Sequence, residues 1–278
     1  MRLLFLGDVV GRSGRSAVIV HLPWLRENLR PDLVVVNGEN AAGGYGITIK
    51  LAAELFAAGV DCLTTGNHVW DQREIMAAIV NEPRLLRPLN YPEGTPGRGA
   101  TIVSTADGRA VLVVCLMARL FMEVLDDPFA AIDRLLSLHT LGGGGLGCDG
   151  LGAILVDFHG EATSEKMAMG HHLDGRVSAV IGTHSHVPTA DAMILAGGTG
   201  YQTDAGMCGD YDSVIGMKKE ASVTRFTRRL PGERMVPAEG EATVCGVLIE
   251  TDDQTGLACR VEPLRLGGRL ARQVPFSS

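Results

Sequence analysis

The chain has 278 residues, 46% hydrophobic and 21% charged, with a formal charge of −7. That length supports a full apolar core without disulfide or metal staples, and it is read as one domain over residues 1–278. The negative balance argues against a long nucleic acid, which usually meets a basic, counterion-releasing surface, and leaves room for a small phosphate-bearing ligand; the chain holds no apolar run of 18 residues that would span a membrane.

Strand and helix alternate from the start. Residues 2–7 read as a strand and 14–29 as an amphipathic helix. Residues 32–38 read as a strand and 48–58 as a helix, with Thr48 as N-cap and Gly59 just past the end. A strand over 61–65 precedes a helix over 71–81, with Asp71 near its start. This β-α-β repetition predicts parallel strands covered by helices. A Pro/Gly-rich loop (83–98) leads to a hairpin, 99–104 and 110–116, turning at Asp107-Gly108. A helix over 128–139, glycines 142–145, a strand over 151–158 and a helix over 161–173 follow. Beyond His186 helices become sparse. Strands are predicted over 191–195, 221–228, 243–250 and 257–266, forming a second, more antiparallel sheet packed on the first.

Cysteines 62, 115, 148, 208, 245 and 259 never form a C-x-x-C pair and read as reduced core thiols of a cytoplasmic protein. A first strand beginning at residue 2 leaves no place for a signal peptide.

Five apolar runs end in metal-ligand residue types. Leu3–Gly7 runs into Asp8, Leu33–Gly38 into Glu39-Asn40, and Cys62–Gly66 into Asn67-His68. Ile154–Phe158 runs into His159, and Val177–Thr183 into His184-Ser185-His186. A sixth run, Ala110–Cys115, ends without one. Ligands of open α/β sheets bind outside the carboxyl ends of the strands. The set therefore reads as one metal site gathered from distant segments. Its oxygen and imidazole donors, with no thiolate, suit manganese, iron or zinc. Seven ligands are too many for one first-row ion and fit two ions sharing a carboxylate, an arrangement that clamps the oxygens of phosphoryl displacement.

Gly7-Asp8, Gly66-Asn67-His68 and Gly182-Thr183-His184-Ser185-His186 resemble the motifs of the calcineurin-like metallophosphoesterases. Gly7–Arg12, Asn37–Gly44, Gly66–Trp70, Asp157–Lys166 and Gly182–Asp191 extend the resemblance to the YmdB-like cyclic-nucleotide phosphodiesterases, over residues 1 to about 265. The resemblance implies an α/β fold, a four-layer α/β/β/α sandwich of two mixed sheets. It implies a dinuclear site in which Glu39 bridges the ions, Asp8, Asn40 and His186 complete one position, and Asn67, His159 and His184 the other. It implies His68 as proton donor, iron as the metal, and hydrolysis of 2′,3′-cyclic nucleotides to 3′-nucleotides by a metal-bridging hydroxide. Many members of the broad superfamily carry Asp-x-His in the first motif, where this chain has Val10, and Asp where it has Glu39. Asn40 could replace the missing imidazole.

Other readings stand beside this one: a 3′,5′-cyclic-nucleotide or broad phosphodiesterase, or a regulatory protein with a non-catalytic metal site. A small phosphodiester is the expected partner, and a homo-oligomer is left open. Gly145–Gly150 matches G-x-G-x-x-G but precedes a strand, and Gly7–Gly14 lacks the Gly-Lys-Ser/Thr ending of a P-loop. Glu161 reads as part of a solvated helix face or as a residue near the site, Asp191 as an ordinary strand start or as a group orienting a ligand histidine, and Arg12 and Arg15 as phosphate contacts or an exposed helix start. Residues 203–213 read as a substrate lid, a subunit contact or a structured connection between sheets.

Overall fold

The structure, a computed structural model, describes residues 1–142, 150–228 and 234–276. Glycines 143–145, Cys148 and most of the 145–150 glycine motif lie outside the described residues.

Two sheets are stacked face to face. The first is built from β1 (Arg2–Leu6), β2 (Asp8–Val9), β3 (Leu33–Asn37), β4 (Cys62–Thr64), β11 (Met207–Asp210), β12 (Ala242–Thr251) and β13 (Ala258–Leu266). Its order is β2-β11-β12-β1-β3-β4, with β13 also paired to β12. The second holds β5 (Ala100–Ser104), β6 (Ala110–Met117), β7 (Ala153–His159), β8 (Ala179–Thr183), β9 (Met193–Ile194) and β10 (Gly200–Gln202), ordered β5-β6-β7-β8-β10-β9. Helices α1 (Gly11–Leu29), α2 (Ile49–Ala57) and the short α3 (Ile75–Ala78) accompany the first sheet; α4 (Pro128–Leu136) and α5 (Thr163–His172) accompany the second. Helix α6 (Lys219–Arg228) follows the crossing back to the first sheet.

The two-residue period of a strand sends alternate side chains to opposite faces, and this divides the apolar residues among three cores. Leu3 and Phe5 of β1 face the central core between the sheets, with Val35, Val113, Leu155, Ile181 and Val247. Leu4 and Leu6 face outward and pack with Val18, Leu22, Leu25 and Leu55 of the helices. On the far side, Val114, Ile154, Val156 and Val180 pack with Ile132 of α4 and Met169 of α5. Three cores between four layers are the α/β/β/α sandwich.

Local signals fixed several boundaries. The Thr48 hydroxyl accepts the Leu51 N–H at the start of α2, and Gly59 follows its end at φ +107°. Asp127 caps α4 through Phe129 N–H, ahead of Pro128.

Four expectations are corrected. The predicted strand over 221–228 is helix α6. The predicted helix over 71–81 shrinks to Ile75–Ala78, because residues 66–72 turn back on themselves and Asp71 binds the His68 ring. The chain after His186 does not form a sheet of its own: β12 pairs antiparallel with β1 and joins the first sheet, while β6, β7, β8 and β10 of the second sheet run parallel. Cys62, Cys115, Cys208 and Cys245 are buried free thiols, but Cys259 is exposed. Among the described residues, no helix is long and apolar enough to cross a membrane.

Candidate metal centre

The carboxyl ends of β1, β3 and β4 meet those of β7 and β8 along one seam. Asp8 lies just past β1, Glu39 and Asn40 past β3, and Asn67 past β4; His159 ends β7, and His184 and His186 follow β8. The fold brings all seven together. His159 Nε2 lies 2.8 Å from Glu39 Oε2, 3.1 Å from Asn67 Oδ1 and 3.0 Å from His184 Nδ1. His186 Nε2 lies 3.2 Å from Asn40 Oδ1 and 3.8 Å from Asp8 Oδ1. Asp8 Oδ1 is also 3.7 Å from His159 Nδ1, which links the two groups.

Neighbouring residues determine which imidazole nitrogens are bare. Thr183 donates its hydroxyl hydrogen to Asp157 Oδ1 at 2.6 Å, so its oxygen accepts from His159 Nδ1 at 2.9 Å. His159 Nε2 then carries a lone pair. His186 Nδ1 donates to the Ile215 carbonyl at 2.7 Å, which leaves its Nε2 bare as well. His184 Nε2 lies 3.3 Å from Glu161 Oε2, so Nδ1 is its inward nitrogen. Such outer contacts hold ring orientation and tautomer at metal sites.

Lone pairs therefore face lone pairs. Asp8 Oδ1 and Glu39 Oε2 are buried without a hydrogen-bond partner. A buried polar atom so placed is costly. Burial and the neighbouring carboxylates Asp204 and Glu39 push the Asp8 carboxyl well above its ordinary range, and burial pushes Glu39 up to about 7. Burial lowers all three histidines, His184 to about 2. Neutral imidazoles and unpartnered carboxyl oxygens are the donor set a hard or borderline cation satisfies. Glu39, His159 and His184 each offer an atom within 4.8 Å of the others, so the residues present fit a metal ion.

The backbone is shaped around these donors. A Cβ on Gly66 would fall 1.7 Å from Glu39 Oε2 and 2.3 Å from the His159 ring, so only glycine fits there. His184 and His186 have φ of +93° and +64°, a region unfavourable for side-chain-bearing residues that persists where surroundings over-determine it. Asp204 supplies much of that determination. It accepts Ser185 N–H at 3.0 Å and Ser185 Oγ–H at 2.6 Å, and pairs with the buried Lys166 of α5 at 2.8 Å. Tyr211 donates its hydroxyl to the His186 carbonyl at 3.1 Å. Beneath the site, Asp157 accepts from Asn37 of β3 at 2.9 Å, and from Thr64 of β4 and Thr183 of β8. That one carboxylate ties the two sheets together under the donors.

His68 stands at the rim. Its Nδ1 is 2.8 Å from Asp71 Oδ2, its ring meets Tyr45 edge-on at 5.3 Å, and it lines a cavity of about 350 Å³. Glu39, Asn40, Glu161, His184, Ser185 and His186 line the same cavity.

Several readings left open by the sequence are decided by contacts. Asp191 binds Thr203, through its N–H and hydroxyl, and touches no ligand histidine. Arg15 donates to the Ala41 carbonyl, and Arg12 lines surface cavities away from the donors. Residues 203–209 are buried and carry the chain from β10 in one sheet to β11 in the other, a structured connection. Asp157, Asp204 and Lys166 were missed. A charged residue two positions before His159, inside an otherwise apolar strand, was the available signal for Asp157, since i and i+2 share a face.

Comparison with known proteins identifies the family and the fold. Residues 4–264 match the family model described as YmdB-like protein. The chain is 47% identical to a Bacillus subtilis protein named 2′,3′-cyclic-nucleotide 2′-phosphodiesterase, over 94% of this chain and 96% of that one. A crystal structure of a Thermus thermophilus protein described as hypothetical superposes with a TM-score of 0.87 at 43% identity, covering 97% of this chain and 100% of that one. A structure described as a novel phosphatase, from Mycoplasma pneumoniae, gives 0.86 at 33% identity, covering 96% and 93%. The chain belongs to the YmdB-like protein family.

Proposed function

We propose that this protein is a metal-dependent phosphodiesterase that hydrolyses small phosphodiesters, 2′,3′-cyclic nucleotides first among them, to 3′-nucleotides. The observation that carries the reading is the convergence of bare, buried oxygen and imidazole donors on the wall of a cavity open to a small ligand. The 47% identical relative and its printed activity support the substrate class. We assign Asp8, Asn40 and His186 to one ion, Asn67, His159 and His184 to a second, and Glu39 to both. Iron is our first assignment, favoured by the resemblance noted from the sequence; manganese and zinc suit the same mixed donors. Bound ions supply neutralisation of the phosphate oxygens and a nucleophile at neutral pH.

The chain's own residues do the rest. Asp71 holds His68 by Nδ1, which leaves Nε2 to pass a proton to the departing ribose 2′-oxygen. Tyr45 fixes the other side of that ring. Glu161, Thr183 and the Ile215 carbonyl hold the three ligand rings with the correct nitrogen inward. We read the whole chain as one domain, because the site needs strands from both sheets.

The test is hydrolysis of 2′,3′-cyclic AMP by protein purified without oxygen, beside 3′,5′-cyclic AMP, with and without chelator. Chelator-sensitive release of 3′-AMP is expected. No turnover after restoring iron, manganese or zinc would move the function to another phosphoester or to a regulatory role.

A further inference from the structure

The cavity at the metal centre is lined by two unlike sets of side chains. One is the polar set of Glu39, Asn40, His68, Glu161, His184 and His186. The other is formed by Tyr45, Ile215, Met217 and Met235, with the guanidinium of Arg225 among them. A volume of about 350 Å³ exceeds what a phosphate group needs and lies in the range of small-molecule pockets. Thioether and aromatic side chains suit a flat ring, because methionine adapts its shape and contacts aromatic systems well. Arg225 projects from α6, on the segment that sequence alone read as a strand. Its hydrogen-bond partner among the described residues is the Met235 sulfur, at 3.6 Å, a weak acceptor. The neighbouring Arg234 is already placed over the Tyr45 ring, 5.8 Å from its centroid.

Resting on the cyclic-nucleotide reading above, we propose that this second set is the base subsite and that Arg225 is a specificity-determining residue favouring guanine. A guanidinium presents two parallel N–H donors, which match the O6 and N7 acceptors of guanine. Adenine presents its N6 amino donor beside N7, so one arginine donor would meet another donor. Exchange of the Met235 sulfur for two good acceptors is available only with the first base. Arg225 is none of the donors assigned to the phosphate-binding ions, so the contact acts on binding of the nucleoside and leaves those donors untouched.

The test compares kcat and KM of metal-loaded wild type, Arg225→Met and Arg225→Lys on 2′,3′-cyclic GMP, 2′,3′-cyclic AMP and bis(p-nitrophenyl) phosphate, which has no base. Wild type is expected to prefer the guanine substrate by about tenfold or more in kcat/KM, mainly through KM. Arg225→Met should erase that preference and leave the nitrophenyl ester rate unchanged, while Arg225→Lys, which cannot make the paired contact, recovers only part of it. An equal loss on all three substrates would make Arg225 a phosphate or structural residue and overturn the proposal. So would a preference unchanged in Arg225→Met, or none in the wild type. The wild-type enzyme alone tests the substrate class: turnover of the nitrophenyl ester with neither cyclic nucleotide defeats that reading and this subsite with it, whereas turnover of both nucleotides at equal rates defeats only the subsite.

Discussion

The first sheet delivers oxygen donors to the seam, Asp8, Glu39, Asn40 and Asn67, whereas the second delivers only imidazoles, His159, His184 and His186. Burial acts on the two groups in opposite directions. It raises the carboxyls of Asp8 and Glu39 and lowers the histidines, so both sheets present groups held toward their uncharged forms. Neither sheet alone has the mixed set that suits a first-row metal. The site is therefore a property of the sheet-to-sheet packing, and Asp157, bonded to residues of both sheets, is where that packing meets the chemistry.

His68 is the exception to the division, an imidazole carried by the oxygen-donating sheet and bonded to Asp71 in place of the cluster. His68→Ala should lower kcat on a ribose cyclic phosphate by roughly 10²–10⁴-fold, the usual range for lost general acid help. Metal content, measured by elemental analysis, should not change. Equal losses on nitrophenyl and ribose esters would rule out proton donation, since nitrophenolate leaves without it.

A smaller effect tests the imidazole sheet. Thr183→Val removes the acceptor that holds His159 Nδ1–H. Metal affinity, read by competition with a chelator, should weaken by about 10–100-fold, the usual cost of a lost partner behind a ligand. An affinity equal to wild type would mean that the ring is held by packing alone.

The smallest effect is a control on the oxygen-donating sheet. Thr48→Ala deletes the α2 cap, whose hydroxyl binds Leu51 N–H and none of the donors, and should cost about 1 kcal/mol of stability in a denaturant titration. Chelator competition should be unaltered. A linked loss of metal would show that the outer helices transmit strain to the seam.

Much of the site was legible because a ligand type directly followed each apolar run, and a strand end is where an α/β sheet binds. Thr48 and Gly59 also marked helix ends through local chemistry. What was hidden depends on partners far along the chain. Val223, Thr224, Phe226 and Thr227 have the β-branched and aromatic character of a strand, yet no sheet edge receives them and they form α6. The pairing of β12 with β1 leaves no local trace, so residues 243–250 and 257–266 read as strands of the second sheet although they belong to the first. Asp204 reads as a loop acid until the fold sets Lys166 and Ser185 around it.

The partnership of β1 and β12 has a consequence for how the chain is made. Arg2 lies opposite Glu250 and Leu6 opposite Gly246. On a ribosome adding about 5–20 residues per second, β1 can join β3 early, but its other edge waits on the order of ten to fifty seconds for β12. An open edge of apolar strand is a template for pairing with another chain. During that interval the nascent protein is most exposed to aggregation, and slower translation or crowded polysomes should lower the yield of native enzyme before any property of the finished fold is involved.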